Sequence, residues 1–188
     1  MEDLYQITFK FQTYLQEKKI KSVVIGGLAI AIWGEPRLTR DIDFKILLDR
    51  SQSKQLVNKI AAPYQFLSSN PLEDLQKAGL IFLKSPEGVR IDLLLAETPF
   101  DVKVIERSVP IKVKPGIFLK ICTPEDLLIY KIISTRSRDH EDIEGIIMRQ
   151  KKLDQKYILG WLKQFETALD DSMLIQEYTQ LTKKHRRR

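Results

Sequence analysis

Asp41-Ile42-Asp43-Phe44 is the stretch where residue type and spacing first point to chemistry. Residues 41–48 read as a strand. Side chains alternate faces along a strand, so Asp41 and Asp43 share one face while Ile42 and Phe44 take the other. Two neighbouring carboxylates repel, and beside an apolar core they call for a cation. A divalent metal supplies it, and two ions about 3.5–4 Å apart can clamp an attacking hydroxyl and a leaving phosphate. The competing interpretation is a solvated face of an edge strand.

Two further pieces bear on the choice. In Val89–Leu95, the residues Val89, Ile91, Leu93 and Leu95 fall on one strand face and Asp92 on the other. If this strand pairs beside residues 41–48, Asp92 becomes a third carboxylate of the group; otherwise it is a surface aspartate. Gly26-Gly27 lies between a β-branched strand at 21–25 and an apolar helix at 28–33. A helix start presents unpaired N–H groups and a positive dipole end, which suits phosphate, and glycine lets a ligand approach the backbone. The pair serves equally as a tight turn.

Taken jointly, the pieces resemble the polymerase-β nucleotidyltransferase superfamily over roughly residues 20–96. That family shows Gly-Gly or Gly-Ser at a helix start, a loop, Asp-hydrophobic-Asp on a strand, and a third acid on a later strand. Here thirteen residues, 28–40, separate Gly27 from Asp41, at the long end of that pattern. Many members carry serine where this chain has Gly27, so a side-chain phosphate contact would be missing and the backbone would have to suffice. The resemblance implies an α+β fold: a polymerase-β-like core with a mixed sheet flanked by helices, plus a C-terminal helical region. It also implies Asp41, Asp43 and Asp92 as metal-binding catalytic residues, with Gly26 and Gly27 at the nucleotide. The cofactor would be Mg2+ in a two-metal site, with Mn2+ as a substitute.

Arg37-Leu38-Thr39-Arg40 runs straight into the aspartate pair. Thr123–Lys131 (TPEDLLIYK) and Arg136–Ile143 (RSRDHEDI) follow later. These stretches resemble the AbiEii/AbiGii-type nucleotidyltransferase toxins, with their Pro-x-Asp-Leu helix bearing a lysine and their Arg-x-(Arg/Lys)-Asp-x-x-Asp-Ile segment. The match spans roughly residues 20–148. It implies an enzyme moving NMP from an NTP onto an RNA hydroxyl, a tRNA 3′ end, and held in check by an antitoxin protein. A small-molecule acceptor of the aminoglycoside kind, a protein hydroxyl and a non-catalytic nucleotide-binding module remain as rivals. Lys131 is the only charge within Leu127–Ile133 and shares a helix face with Leu127 and Leu128. It either snorkels to solvent or enters a polar pocket, and the resemblance implies a triphosphate contact. Asp139 and Asp142, three apart at a helix start, either balance the dipole or, for Asp139, join the nucleotide site. Arg37 and Arg40 either grip phosphate or acceptor or line a solvated loop. His140 and Cys122 receive no role.

Other elements must position these groups. Leu4, Ile7, Phe11, Tyr14 and Leu15 make a helical stripe, although Tyr5, Ile7, Phe9 and Phe11 also alternate as on a strand. Ser51 is a candidate cap for a helix with Leu56, Val57 and Ile60 inward. Asn70-Pro71 opens another helix and Gly79 ends it. Strands at 80–83 and 89–95 flank Ser85-Pro86-Glu87-Gly88, so a hairpin is expected. A short helix follows Thr98, and strands 111–114 and 117–121 flank Pro115-Gly116. Thr123-Pro124-Glu125-Asp126 starts a helix, and the pattern stays helical to the end, with stripes Ile143/Ile146/Ile147 and Tyr157/Trp161/Phe165. The expected division is an α/β core at 1–121 and a helical region with a basic tail at 122–188.

The 188 residues suit one domain with an annex, and 43% are hydrophobic, enough for an ordinary core. No run approaches the roughly 20 apolar residues of a membrane helix. The N-terminus lacks a basic stretch followed by an apolar one, so no secretory signal is expected. The lone Cys122 excludes an internal disulfide and favours a reducing, cytoplasmic setting. Net charge is +6, with the Lys183–Arg188 run drawing polyanions such as RNA or standing as a solvated terminus.

Overall fold

Strands β1 (Ser22–Ile25), β2 (Asp41–Ile46), β3 (Gln65–Phe66), β4 (Leu80–Lys84), β5 (Arg90–Leu95), β6 (Val109–Lys114) and β7 (Ile117–Ile121) make one mixed sheet. Its order is β3-β4-β5-β2-β1-β7-β6. The β2–β5 and β1–β7 pairs are parallel; the others are antiparallel. These facts come from a computed structural model, which describes residues 3–60, 62–134 and 136–186. The chain divides into two compact units, Met1–Leu28 with Leu38–Cys122, and Ala29–Arg37 with Thr123–Arg188.

In the first unit, Ile42, Phe44 and Ile46 of β2 are fully buried, as are Ile91 and Leu93 of β5. Helix α1 (Leu4–Glu17) covers this apolar face. Asp3 caps it, accepting from the Gln6 N–H at 3.0 Å. The helical stripe prevails over the strand-like alternation because it buries Ile7, Phe11 and Leu15 together. The Phe11 ring meets Phe44 at 5.5 Å and Tyr64 at 4.6 Å. Such aromatic pairs contribute about 0.5–1.5 kcal/mol each beyond area burial. Gln12 reaches β7, donating to the Lys120 carbonyl at 3.0 Å and accepting from its N–H at 2.8 Å.

Helix α2 (Gly26–Trp33) begins at the first glycine rather than after the pair. Asp49, not Ser51, provides the next cap. It begins a 3-10 turn at Arg50–Gln52 and accepts from the Ser51 N–H at 2.8 Å, because its carboxylate sits one turn before the available N–H groups. Helix α3 (Ser53–Lys59) follows and stops before Ile60, which is extended and buried. Helix α4 (Pro71–Ala78) ends at Gly79 with φ +64. The hairpin at 85–88 forms as expected, with Ser85 N–H donating to the Val89 carbonyl at 2.8 Å. The two-residue β3 was not anticipated; it is too short to show alternation. Helix α5 (Pro99–Arg107) starts at a reciprocal cap between Thr98 and Asp101.

The second unit holds α6 (Pro124–Ser134), α7 (Ser137–Arg149), α8 (Gln155–Leu169) and α9 (Leu174–Arg186). Asp126 is fully buried and doubly satisfied, by the Thr123 hydroxyl at 2.8 Å and the Tyr157 hydroxyl at 2.6 Å. Ile143 and Ile146 form the buried stripe of α7. On α8 the buried positions are Ile158 and Leu162, while Tyr157, Trp161 and Phe165 line up beside them half-buried. Of the basic run, Arg187 and Arg188 lie outside the described residues. No helix among the described residues is long and apolar enough to cross a membrane.

Candidate active site

Strand register places the acids. In the parallel β2–β5 pair, Asp41 lies opposite Arg90 and Asp43 opposite Asp92. Partners in register point to the same side, so Asp41, Asp43 and Asp92 stand on the face away from Ile42, Phe44, Ile91 and Leu93. All three are half-buried. Lys45 shares their face farther along β2 and is neutralised by Asp101 of α5 at 2.8 Å. Helix α5 therefore covers one end of this face, and the three aspartates occupy the other.

Gly26 sits beside the pair at φ +63, a left-handed conformation that disfavours side chains. A Cβ there would run into the Asp43 carboxylate. The α2 start is thus tight against β2, and glycine is what allows it. Gly27 has another neighbour: a Cβ on it would come within 2.5 Å of the Thr39 hydroxyl oxygen and 2.8 Å of its Cβ. The space a serine side chain would need at 27 is filled by Thr39. That hydroxyl donates to the Asp41 carboxylate at 3.0 Å.

Arg90 is the other residue that sequence reasoning passed over. It is two residues before Asp92, hence on the same face, and grips both carboxylate oxygens at 2.6 and 3.0 Å. Its guanidinium also lies 4.1 Å from the centre of the Phe82 ring. Its hydrogen bonds to Asp92 hold the guanidinium above its usual pKa against slight burial, and the charges of Asp92, Asp41 and Asp43 add to it. The i, i+2 spacing of an arginine and an aspartate was the signal in the sequence.

Carboxylate oxygens are hard donors of the kind Mg2+ and Mn2+ take. Three of them on one face suit such an ion. Among the described residues, however, no three Asp, Glu, His or Cys side chains are gathered closely enough to hold a metal. Asp92 is engaged by Arg90 and Asp41 by Thr39. The donor chemistry suits a divalent cation, while the arrangement leaves Asp92 bonded to Arg90.

The remaining candidates belong to the second unit, apart from Arg40, which is an exposed residue of the first. Lys131 does not snorkel. Its side chain is only 14% exposed, and its Nζ donates to Asp139 at 2.6 Å and pairs with Asp142 at 2.8 Å. Arg37 makes a two-pronged contact with Asp142 at 2.9 and 3.1 Å. Ser134 also donates to Asp139. Burial works to raise the Asp142 carboxyl, but the hydrogen bonds from Arg37 and Lys131 overcome it and hold the group below the usual carboxylate range. Two cations and two carboxylates thus join the segment at 29–37, α6 and α7 in one network.

A mixed sheet flanked by helices thus carries a glycine-led helix start and three aspartates on one face. The chain matches the family described as "Nucleotidyl transferase of unknown function (DUF2204)" over residues 5–184, and it belongs to that family. No curated protein matches the sequence. Among solved structures, the chain is similar to an antigenic nucleotidyltransferase-like protein from Paracoccidioides brasiliensis, at 18% identity and TM-score 0.53 over 89% of this chain and 90% of that one. It is similar to the antibiotic-resistance factor ANT(2″)-Ia, at 14% identity and TM-score 0.57 over 90% and 97% of the two chains. A third similar structure is the lincomycin-bound lincosamide adenylyltransferase LnuA, at 13% identity and TM-score 0.51 over 77% and 97%. At these identities the likeness speaks for the fold.

Proposed function

We propose that this chain transfers NMP from an NTP to an RNA hydroxyl, at a tRNA 3′ end, as a toxin-like enzyme of the AbiEii/AbiGii type regulated by an antitoxin protein. The observation that carries the transfer reaction is the register that sets Asp43 beside Asp92 with Asp41 on the same face. Asp41, Asp43 and Asp92 would hold Mg2+, or Mn2+ in its place. A divalent cation there neutralises phosphate charge and lowers the pKa of an attacking hydroxyl. The N–H groups at the Gly26-Gly27 helix start meet the triphosphate. Asp92 faces the acceptor hydroxyl, which gives up its proton to that carboxylate and on to solvent while its oxygen bonds to the α-phosphorus and the bond to pyrophosphate breaks. Arg40, exposed on the loop before β2, contacts phosphate from outside. Lys131 and Asp139 are assigned to the nucleotide on the resemblance alone.

RNA as the acceptor is supported by the resemblance through residues 37–43 and 123–143 and by the net charge of +6. A second reading, transfer to a small hydroxylated molecule, is favoured by the fold likeness to an antibiotic-resistance factor and a lincosamide adenylyltransferase. One experiment separates them. The protein is incubated with Mg2+ and each α-labelled NTP, with total RNA, protein extract or an antibiotic panel. Label in RNase-sensitive material of tRNA size, absent with Asp41→Asn, is the expected result. Label only in the antibiotic fraction establishes the second reading.

A further inference from the structure

On the side of the sheet that carries the aspartates, β1 is buried at Val23 and Ile25, and the surface opens again at the β6–β7 edge. In register, Val24 pairs with both Phe44 and Ile121, so Ile121, Leu119 and Ile117 lie on the apolar side. Phe118 and Lys120 therefore lie on the aspartate side. Across the antiparallel β6–β7 pair, Lys112 faces Phe118 and Pro110 faces Lys120. All four are exposed, and Phe118 is 53% exposed despite its size. Among the described residues no carboxylate pairs with Lys112 or Lys120; Lys114 nearby is paired with Asp3. Lys120 is two residues along and two strands across from Asp43, roughly 12 Å at standard strand spacings.

We propose that this β6–β7 face binds single-stranded nucleic acid, with Phe118 as a stacking platform and Lys112 and Lys120 as phosphate contacts. The proposal rests on the reading that the acceptor is RNA, and it names a surface that holds the strand away from the reacting end. An aromatic ring between two cations on a strand face is the arrangement that takes stacked bases and their backbone. A second copy of the chain is a poorer occupant. Across a two-fold axis Lys112 and Lys120 would meet each other, and edge strand β6 carries Pro110, which cannot donate to an added strand.

The test uses the full-length protein and a fluorescein-labelled oligouridylate, read by anisotropy at several salt concentrations without metal or NTP. Phe118→Ala should weaken binding about tenfold and leave the salt slope alone, while Phe118→Trp should restore affinity. Lys112→Gln with Lys120→Gln should lower the slope of log affinity against log salt by about 1.4, at about 0.7 per single-strand phosphate contact. Wild-type affinity and slope in all these variants overturn the proposal, and RNA labelling by the wild type then still upholds the RNA reading. No oligonucleotide binding by the wild type, with label only in small molecules, overturns both. A dimer that Phe118→Ala dissociates without changing RNA affinity overturns the proposal and makes the face a protein interface.

Discussion

Arg90 grips Asp92 from two positions earlier on the same strand, its Nε and Nη2 donating to the two carboxylate oxygens at 2.6 and 3.0 Å. The arginine thereby sets a positive charge beside three neighbouring aspartates, and a metal held by these carboxylates would compete with it for Asp92. Arg90→Gln should lower the melting temperature of the metal-free protein and tighten Mg2+ binding by about fivefold, the equivalent of roughly 1 kcal/mol for a partly exposed pair. Melting curves with and without Mg2+ check this. An equal Mg2+ response in variant and wild type would mean that Arg90 does not compete.

Asp41→Asn and Asp43→Asn should abolish nucleotide transfer with the fold retained, since the amide keeps the shape and removes the charge. Asp92→Ala should reduce turnover by orders of magnitude yet leave NTP affinity closer to wild type, because its assigned partner is the acceptor. Rates under matched Mg2+, with circular dichroism alongside, decide it. A fully active Asp43→Asn protein would end the carboxylate assignment.

Gly27 and Thr39 should be energetically coupled. Gly27→Ala drives a methyl against the Thr39 hydroxyl and Cβ, and Thr39→Gly, which removes both, should relieve it. A double-mutant cycle on chemical denaturation should return a coupling of about 1 kcal/mol. Additive effects would show that the loop before β2 yields freely.

Lys131→Met should destabilise the protein by about 2–4 kcal/mol, because it leaves the buried carboxylate of Asp139 with the Ser134 hydroxyl but no cation and removes one of the two cations on Asp142. Adding Asp139→Asn should recover much of that loss. Calorimetric titration of NTP into the recovered double variant then tests the nucleotide role. Unchanged NTP affinity confines the lysine to the ion network.

Acid should unfasten the same network. The Asp142 carboxyl is held below its ordinary value in the folded protein. Its contribution to stability is therefore complete above about pH 4, the unfolded aspartate value, and falls away as pH drops through the lower folded value. Asp142→Asn should be less stable than wild type at neutral pH and show a shallower loss on acidification. Unfolding curves from pH 7 to pH 2 that stay parallel for the two proteins would refute this.

Alternation alone was enough to put Asp41 and Asp43 on one face and Asp92 opposite Ile91 and Leu93, because a strand's period of two is a local property. Glycine and proline likewise marked the hairpin at 85–88 and the end of α4, where a single residue's backbone preference suffices. The cap at Asp49 was misplaced by two residues, since Ser51 and Asp49 are both good caps and only the path of the chain selects one. Pairing was beyond local reading. That β5 lies beside β2, in the register that sets Asp92 at Asp43, depends on burying Ile91 and Leu93 with Ile42 and Phe44. Lys131 shows the same limit. Its helix face was legible, but its choice between solvent and pocket was made by Asp139 and Asp142, carboxylates 8 and 11 positions later that only the packing of α7 brings to its ammonium. Arg37, more than a hundred residues from Asp142 in the chain, could be matched to it only once the helices had closed around both.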